Sequence, residues 1–295
     1  MNGVLIIDKP SGVTSHDIVQ RMRKLLKTRK VGHLGTLDPM ATGVLPLCIG
    51  KATRIGRFFQ ASPKEYIGKI RFGFATSTYD REGAAEGPER PLTQSRQEVE
   101  EAMQQFVGKL MQKPPLISAK KIGGEPSYKL ARRGMAIESP AVPVEVMSFE
   151  ATAFDPPVLS FHVVCSPGTY VRSLANDLGQ TVGCGAHLIS LRRVRSGVFS
   201  EEQAVPAERV APEDLIPMEH LLLEFPALVV EGETAEDRVR HGNPIRLTEP
   251  ERLAGFARIL NKNGEFLAVA SLESGWARPM VVLTSRASAE PRKPH

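Results

Sequence analysis

Residues Gly32 to Arg54 read GHLGTLDPMATGVLPLCIGKATR, and a single carboxylate, Asp38, stands inside this stretch directly before Pro39 and among glycines at 32, 35 and 43. Proline biases the residue before it away from helical angles, and the glycines permit a backbone tight enough to hold one carboxylate at a cleft wall. On local grounds alone an Asp-Pro between glycines is more often a turn or cap than a catalytic group. The Gly50-Lys51 pair lacks the glycine-rich run of a phosphate-binding loop, which rules out that nucleotide site.

Outward from this stretch the chain alternates between the two common periods. Upstream, Val4 to Ile7 reads as a strand ended by Asp8-Lys9-Pro10-Ser11-Gly12. A helix follows, with Ser15 as its expected N-cap, Asp17 in its first turn and Ile18, Met22, Leu25 and Leu26 at helical spacing. Downstream, Lys64 to Ala75 alternates as a strand, with Tyr66, Ile70, Phe72 and Phe74 on one side and Lys69 and Arg71 on the other. Ser95 and Glu98 form a capping box for an amphipathic helix of about four turns through Val99, Met103, Phe106, Val107 and Leu110. Val142 to Phe154 and Val158 to Cys165, parted by Asp155-Pro156-Pro157, read as antiparallel neighbours. Gly168-Thr169 opens a helix carrying Val171, Leu174, Ala175 and Leu178, and His187 to Val194 returns as a strand. The stretch Pro206 to Pro226 marks a boundary, after which short apolar runs between turns indicate a small β-rich unit.

The composition of 295 residues, 41% hydrophobic and 24% charged, is that of an ordinary globular chain of about two domains. Three cysteines with no CxxC spacing, and no His/Cys cluster of ligand spacing, indicate a reducing compartment and no structural metal. The N-terminus lacks the features of a signal peptide, and no apolar run approaches the ~20 residues of a membrane span, so a soluble cytoplasmic protein is expected. A formal net charge of +5 and pI of about 9.1 permit a polyanionic partner. Basic residues crowd three places: Arg21 to Lys30; Lys120, Lys121, Lys129, Arg132 and Arg133; and Arg192, Arg193 and Arg195. These clusters suit a surface that follows a nucleic-acid backbone, although solvated helix faces give the same pattern.

The segment GHLGTLDPMATGVLP resembles the catalytic-aspartate motif of the TruB branch of pseudouridine synthases. Further landmarks fall in that family's order: LIIDKPSGVTSHDIV, KEYIGKIRFGFATSTYD, PPLISAKKIGGEPSYKLARRG, CSPGTYVRSLANDLG and HLISLRRVRSG. The likeness extends over nearly the whole chain.

The resemblance implies that Asp38 is the nucleophile, that Tyr66 stacks on a flipped base and is a candidate for removing its C5 proton, and that Arg172 pairs with the catalytic carboxylate. It further implies that Tyr170 lines the pocket, that Leu191 is an apolar neighbour of the uracil, and that His33 meets the T-loop of the RNA. The implied reaction is isomerisation of uridine 55 in the T-loop of tRNA, with no cofactor and no metal. Ile117 departs from the aromatic usual before the serine of the PPxxSA motif.

The implied fold is α+β, a mixed and largely antiparallel central sheet flanked by helices. A catalytic domain at 1–221 would carry a thumb insertion at about 113–146, followed by a PUA-like RNA-binding β-barrel at 222–284 and a disordered tail at 285–295. The thumb implies a monomer that grips the T-stem-loop without an obligatory protein partner, while the C-terminal domain reaches the acceptor stem. Two rivals stand beside this reading: an RNA-binding or RNA-folding module without catalysis, and an enzyme of the same fold acting on another RNA. The chemical route, by attack at C1′ or C6 or through a glycal, stays open.

Overall fold

The computed structural model describes residues 1–115, 121–122, 125–126, 140–247 and 254–283. Strand β1 (Gly3–Lys9) and strand β3 (Thr42–Ile49) are continuous apolar runs because both of their faces are covered. Leu5, Ile7, Leu45 and Leu47 face a core shared with Ile18, Val19 and Met22 of helix α1 (Ser15–Leu25). Val4, Ile6 and Val44 face the opposite way, into a second core. The short strand β2 (Val31–His33), which lies between α1 and β3 in sequence, pairs with β3.

The main sheet continues through β4 (Lys64–Phe72), β5 (Gly108–Gln112), β6 (Val142–Asp155), β7 (Val158–Cys165) and β8 (Ala186–Ser196). Across it the order is Val205–Pro206, β1, β3, β8, β4, β7, β6, β5. The pairings of β1 with Val205–Pro206 and of β3 with β8 are parallel, and the other contacts along this path are antiparallel. The α+β class and the mixed, largely antiparallel sheet are therefore as expected. Helix α2 (Gly56–Gln60) follows β3, α3 (Arg96–Gln104) precedes β5, and α4 (Val171–Val182) links β7 to β8.

Several local expectations need correction. Thr14, not Ser15, caps α1 by accepting from the Asp17 amide, while Ser15 is buried and bonded elsewhere. The Ser95–Glu98 capping box forms, but α3 closes at Gln104 because Phe106 and Val107 turn tightly into β5, with amides on the carbonyls of Met103 and Gln104. Strand β4 stops at Phe72, where Gly73 adopts φ 120°, so Phe74 lies beyond it. The basic run in β8 is not a free cationic face. Strand alternation turns Arg193 inward, where it is 1% exposed, while Arg192 pairs with Asp8 and Glu201, and Arg195 with Glu65.

The C-terminal unit is β-rich, a curled half-barrel sheet of β9 (Ala227–Val230), β10 (Ile245–Arg246), β11 (Gly255–Asn261), β12 (Phe266–Glu273) and β13 (Trp276–Val282), with helix α5 (Glu233–Arg240) alongside. Phe266, Val269, Val281 and Leu283 join Val4, Ile6, Val44 and Phe59 in one apolar cluster, so this unit covers the second face of β1 and β3. The Pro206 to Pro226 stretch is not a free linker: Val205–Pro206 and Ile216–Pro217 both pair with β1. Most of the basic excursion expected at about 113–146, where the sequence pattern suggests a short helix, lies outside the described residues, including Ile117, Lys120, Lys129, Arg132 and Arg133, as does the tail at 285–295. Within the excursion Lys121–Ile122 and Glu125–Pro126 pair as antiparallel strands. None of the described helices is long and apolar enough to cross a membrane.

Candidate active site

Within the stretch quoted at the outset, residues 34–41 form the loop between β2 and β3, and the turn between β1 and α1 holds it. Asp38 and Pro39 begin a tight turn in which the Ala41 amide donates to the Asp38 carbonyl at 3.1 Å. The Gly12 amide and the Ser11 hydroxyl donate to the carbonyls of Pro39 and Met40 at 2.8 and 3.2 Å. Ser15 clamps Leu37, accepting from its amide at 2.8 Å and donating to its carbonyl at 3.0 Å. Lys9, fully buried, donates through Nζ to the carbonyls of Pro10, Pro39 and Ala41 at 2.9, 3.2 and 2.7 Å. Burial pushes the Lys9 ammonium down to about 8, with the Asp38 charge opposing that shift.

From the opposite side Arg193 donates to the carbonyls of Val44, Thr36 and Gly35 at 2.7, 3.5 and 3.1 Å. Gly43 makes this approach possible: at φ 96°, a Cβ there would lie 2.3 Å from the Arg193 carbonyl oxygen. The sequence placed Arg193 among surface cations, and its burial is a tertiary fact that local pattern does not carry.

Arg172, in the first turn of α4 and 5% exposed, faces Asp38. Its Nη2 donates to Asp38 Oδ1 at 3.1 Å and its Nε lies 2.8 Å from Oδ2, so the guanidinium edge spans both carboxylate oxygens. Nη1 donates to the Thr78 carbonyl at 2.9 Å and lies 3.2 Å from Oδ2 of Asp80. The Asp38 side chain remains 33% exposed, whereas Asp80 is buried. One guanidinium thus bridges an accessible carboxylate and a buried one. Asp80 is locked in turn by the Thr78 hydroxyl at 2.6 Å and the Glu82 amide at 3.0 Å. Sequence reasoning missed Asp80, because an acid in STYDREG looks like a turn residue; its place after the KEYIG strand was the available signal.

A cavity of ≈ 320 Å³ brings Asp38, Tyr66, Tyr170, Arg172 and Leu191 together, with Lys64 and Arg193 also in its wall. Tyr66 is buried, and burial raises its phenol above the ordinary value, an effect that the Arg193 charge opposes. At neutral pH Tyr66 is therefore an uncharged aromatic. Lys64 donates to the carbonyls of Gln60 and Ser62, and burial pushes it down to about 8. His33 is not among the cavity residues. It sits at the end of β2, accepting weakly from the Gly35 amide at 3.4 Å, and burial foremost, then Arg193 and His16, lower its pKa. A larger cavity of ≈ 410 Å³ adjoins through Leu191 and is lined by Lys69, Arg81, Arg192 and several hydroxyls, with no carboxylate. The anionic chemistry is confined to the smaller one. No group of three or more His, Cys, Asp or Glu that could hold a metal occurs among the described residues.

Comparison with known proteins gives concordant results. The family model for the TruB family pseudouridylate synthase N-terminal domain matches residues 23–171, and that for the tRNA pseudouridylate synthase B C-terminal domain matches 172–222. The chain is 42% identical over 282 residues to tRNA pseudouridine synthase B of Solibacter usitatus, covering 92% of this chain and 96% of that one. Against the protein of the same name from Pseudomonas aeruginosa it is 39% identical over 283 residues, covering 92% of both. Among solved structures it resembles one chain of a Cbf5-Nop10-Gar1 complex, with TM-score 0.70 at 25% identity over 96% of this chain and 85% of that one. A chain of an H/ACA RNP bound to a substrate RNA containing 2′-deoxyuridine gives TM-score 0.70 at 23% identity, covering 97% and 86%.

Proposed function

The chain belongs to the TruB family of pseudouridylate synthases, and we propose that it converts the uridine at position 55 in the T-loop of tRNA to pseudouridine, with Asp38 as the nucleophile. The observation that carries this reading is the Arg172 edge laid along both oxygens of Asp38 at the mouth of a cavity that also holds an uncharged, buried tyrosine.

Isomerisation breaks the bond from ribose C1′ to N1 and forms one from C1′ to C5, while C5 gives up its proton and N1 takes one up. Electrons balance without an oxidant or reductant, so the chain needs no cofactor for this step. The target base must leave the loop, at a cost of a few kcal/mol that stacking on an aromatic offsets. Tyr66 supplies that face, Tyr170 and Leu191 close the pocket around the ring, and His33, outside the cavity, meets the T-loop. Arg172 holds Asp38 with a planar fork, which fixes the carboxylate's orientation in a way a lysine cannot. Its attack on C1′ or on C6, and elimination to a glycal, are all compatible with this arrangement.

The insertion between β5 and β6 acts as a thumb on the T-stem-loop, and the C-terminal sheet, a PUA-like unit, contacts the acceptor-stem side through sugar and phosphate. The protein acts alone, as a monomer, in the cytoplasm. Incubation with an unmodified tRNA transcript, followed by mapping of pseudouridine, tests the assignment. Modification at position 55 is expected; modification elsewhere on the transcript, or none, overturns it.

A further inference from the structure

We propose that Gln112 is a positioning residue for the Asp38–Arg172 pair, acting through the backbone of Tyr170. This rests on the functional reading above and extends it to a residue outside the cavity wall. Gln112 ends the edge strand β5 and is 1% exposed. Its amide closes a two-bond ring on the peptide groups of Tyr170: Oε1 accepts from the Tyr170 amide at 2.8 Å, and Nε2 donates to the Tyr170 carbonyl at 3.1 Å. The carboxamide thus does for Tyr170 what a neighbouring strand would do.

Position is the reason this matters. Tyr170 is the N-cap of α4, and no side chain caps that helix. Arg172 stands two residues further on, in the first turn, so the direction in which α4 leaves Tyr170 sets where the guanidinium points. Ser173 adds a tie one residue beyond Arg172, its hydroxyl donating to the Lys113 carbonyl at 2.9 Å. On the other side, the Ser166 amide donates to the Glu145 carbonyl at 2.7 Å, and the Glu145 amide to the Ser166 hydroxyl at 2.9 Å. Gln112 and Lys113 stand at the N-terminal root of the insertion, and Glu145 lies in β6 at its C-terminal root. The segment carrying Tyr170 and Arg172 is therefore pinned at both roots of the insertion, and Gln112 makes two of those bonds, both to the peptide groups of Tyr170.

Placement errors of about 1 Å from substitutions distant from the chemistry can cost about 100-fold in rate. The test uses the full chain and a T-stem-loop RNA, with single-turnover rate and RNA affinity measured separately. Gln112→Met keeps length and burial but removes both bonds; it is expected to slow single turnover about tenfold or more, with affinity within about twofold of wild type. Because the effect passes through Arg172, Gln112→Met combined with Arg172→Lys should be scarcely slower than Arg172→Lys alone. Gln112→Asn retains the carboxamide but draws it back by one methylene, so it cannot keep both bonds to Tyr170, and it provides the same rate-only loss should the methionine variant fail to fold. A folded variant with a wild-type rate, a loss confined to affinity, or multiplicative effects in the double variant would overturn the inference. Failure of the wild-type protein to turn over the stem-loop would instead refute the functional assignment itself.

Discussion

Replacing Arg172 with lysine removes a planar fork while keeping the charge, and the geometry sets the size of the effect. The guanidinium contacts both oxygens of Asp38 and, through Nη1, both the Thr78 carbonyl and Asp80. A lysine ammonium is a point charge on a flexible stem, and it cannot span Asp38 while reaching Thr78 and Asp80. At least one charge-assisted bond is lost, worth about 1.5–3 kcal/mol. If that orientation is fully used in the transition state, at 1.36 kcal/mol per decade the rate falls roughly 10- to 100-fold. The assay is single-turnover release of tritium from C5 of uridine in a T-stem-loop, since bond formation at C5 displaces that hydrogen. Circular dichroism and RNA affinity confirm that fold and binding persist. A rate within about threefold of wild type would show that Arg172 does not orient Asp38.

Asp80→Asn keeps shape but removes the buried anion that holds Nη1 of Arg172; the single-turnover rate should fall by at least about tenfold, or ~1.4 kcal/mol, and an unchanged rate would confine Asp80 to packing. Lys9 and Lys64 are lowered from 10.5 to about 8, so between about pH 8 and 10.5 the folded protein has released protons that the unfolded chain retains. Their contribution to stability therefore rises with pH across that window, and Lys64→Met should lower the slope of melting temperature against pH there; an unaltered slope contradicts the shift. Truncation after Leu221 uncovers the apolar face of β1 and β3 and should lower the melting temperature, by about 2–4 °C for each kcal/mol lost. Below that temperature the truncated chain should turn over a saturating stem-loop but bind whole tRNA less tightly, with a shallower salt dependence. Loss of stem-loop turnover by folded protein would contradict this.

The parts of the fold legible in the sequence were those with a strong local period or a punctuating residue. Tyr66, Ile70 and Phe72 marked the buried face of β4, the Asp155-Pro156-Pro157 turn separated β6 from β7, and Ser95 with Glu98 announced α3. Tertiary contacts decided what local pattern did not. Ser15 looks like a cap until Leu37, 22 residues away in sequence, takes both its bonds, which leaves the cap to Thr14. Arg193 looks like one of three surface cations, but strand alternation and its bonds to two carbonyls of the catalytic loop and one of β3 bury it. In the site, Asp38, Tyr66, Tyr170, Arg172 and Leu191 were named from family resemblance, and the fold brings all five to one cavity. Lys9, Asp80 and Gln112 were not named, since each acts by bonding backbone or another charge far away in sequence. Such roles have no local signature.

The central claim, that Asp38 supplies the nucleophile for isomerisation of uridine 55, is tested most directly by Asp38→Asn on an unmodified tRNA transcript beside the wild type. The substitution keeps size and hydrogen-bonding reach but removes the anion. Wild-type protein should form pseudouridine at position 55, while the variant stays folded, binds the same transcript with similar affinity through phosphate contacts, and forms none. Pseudouridine above background with the asparagine variant would contradict the account.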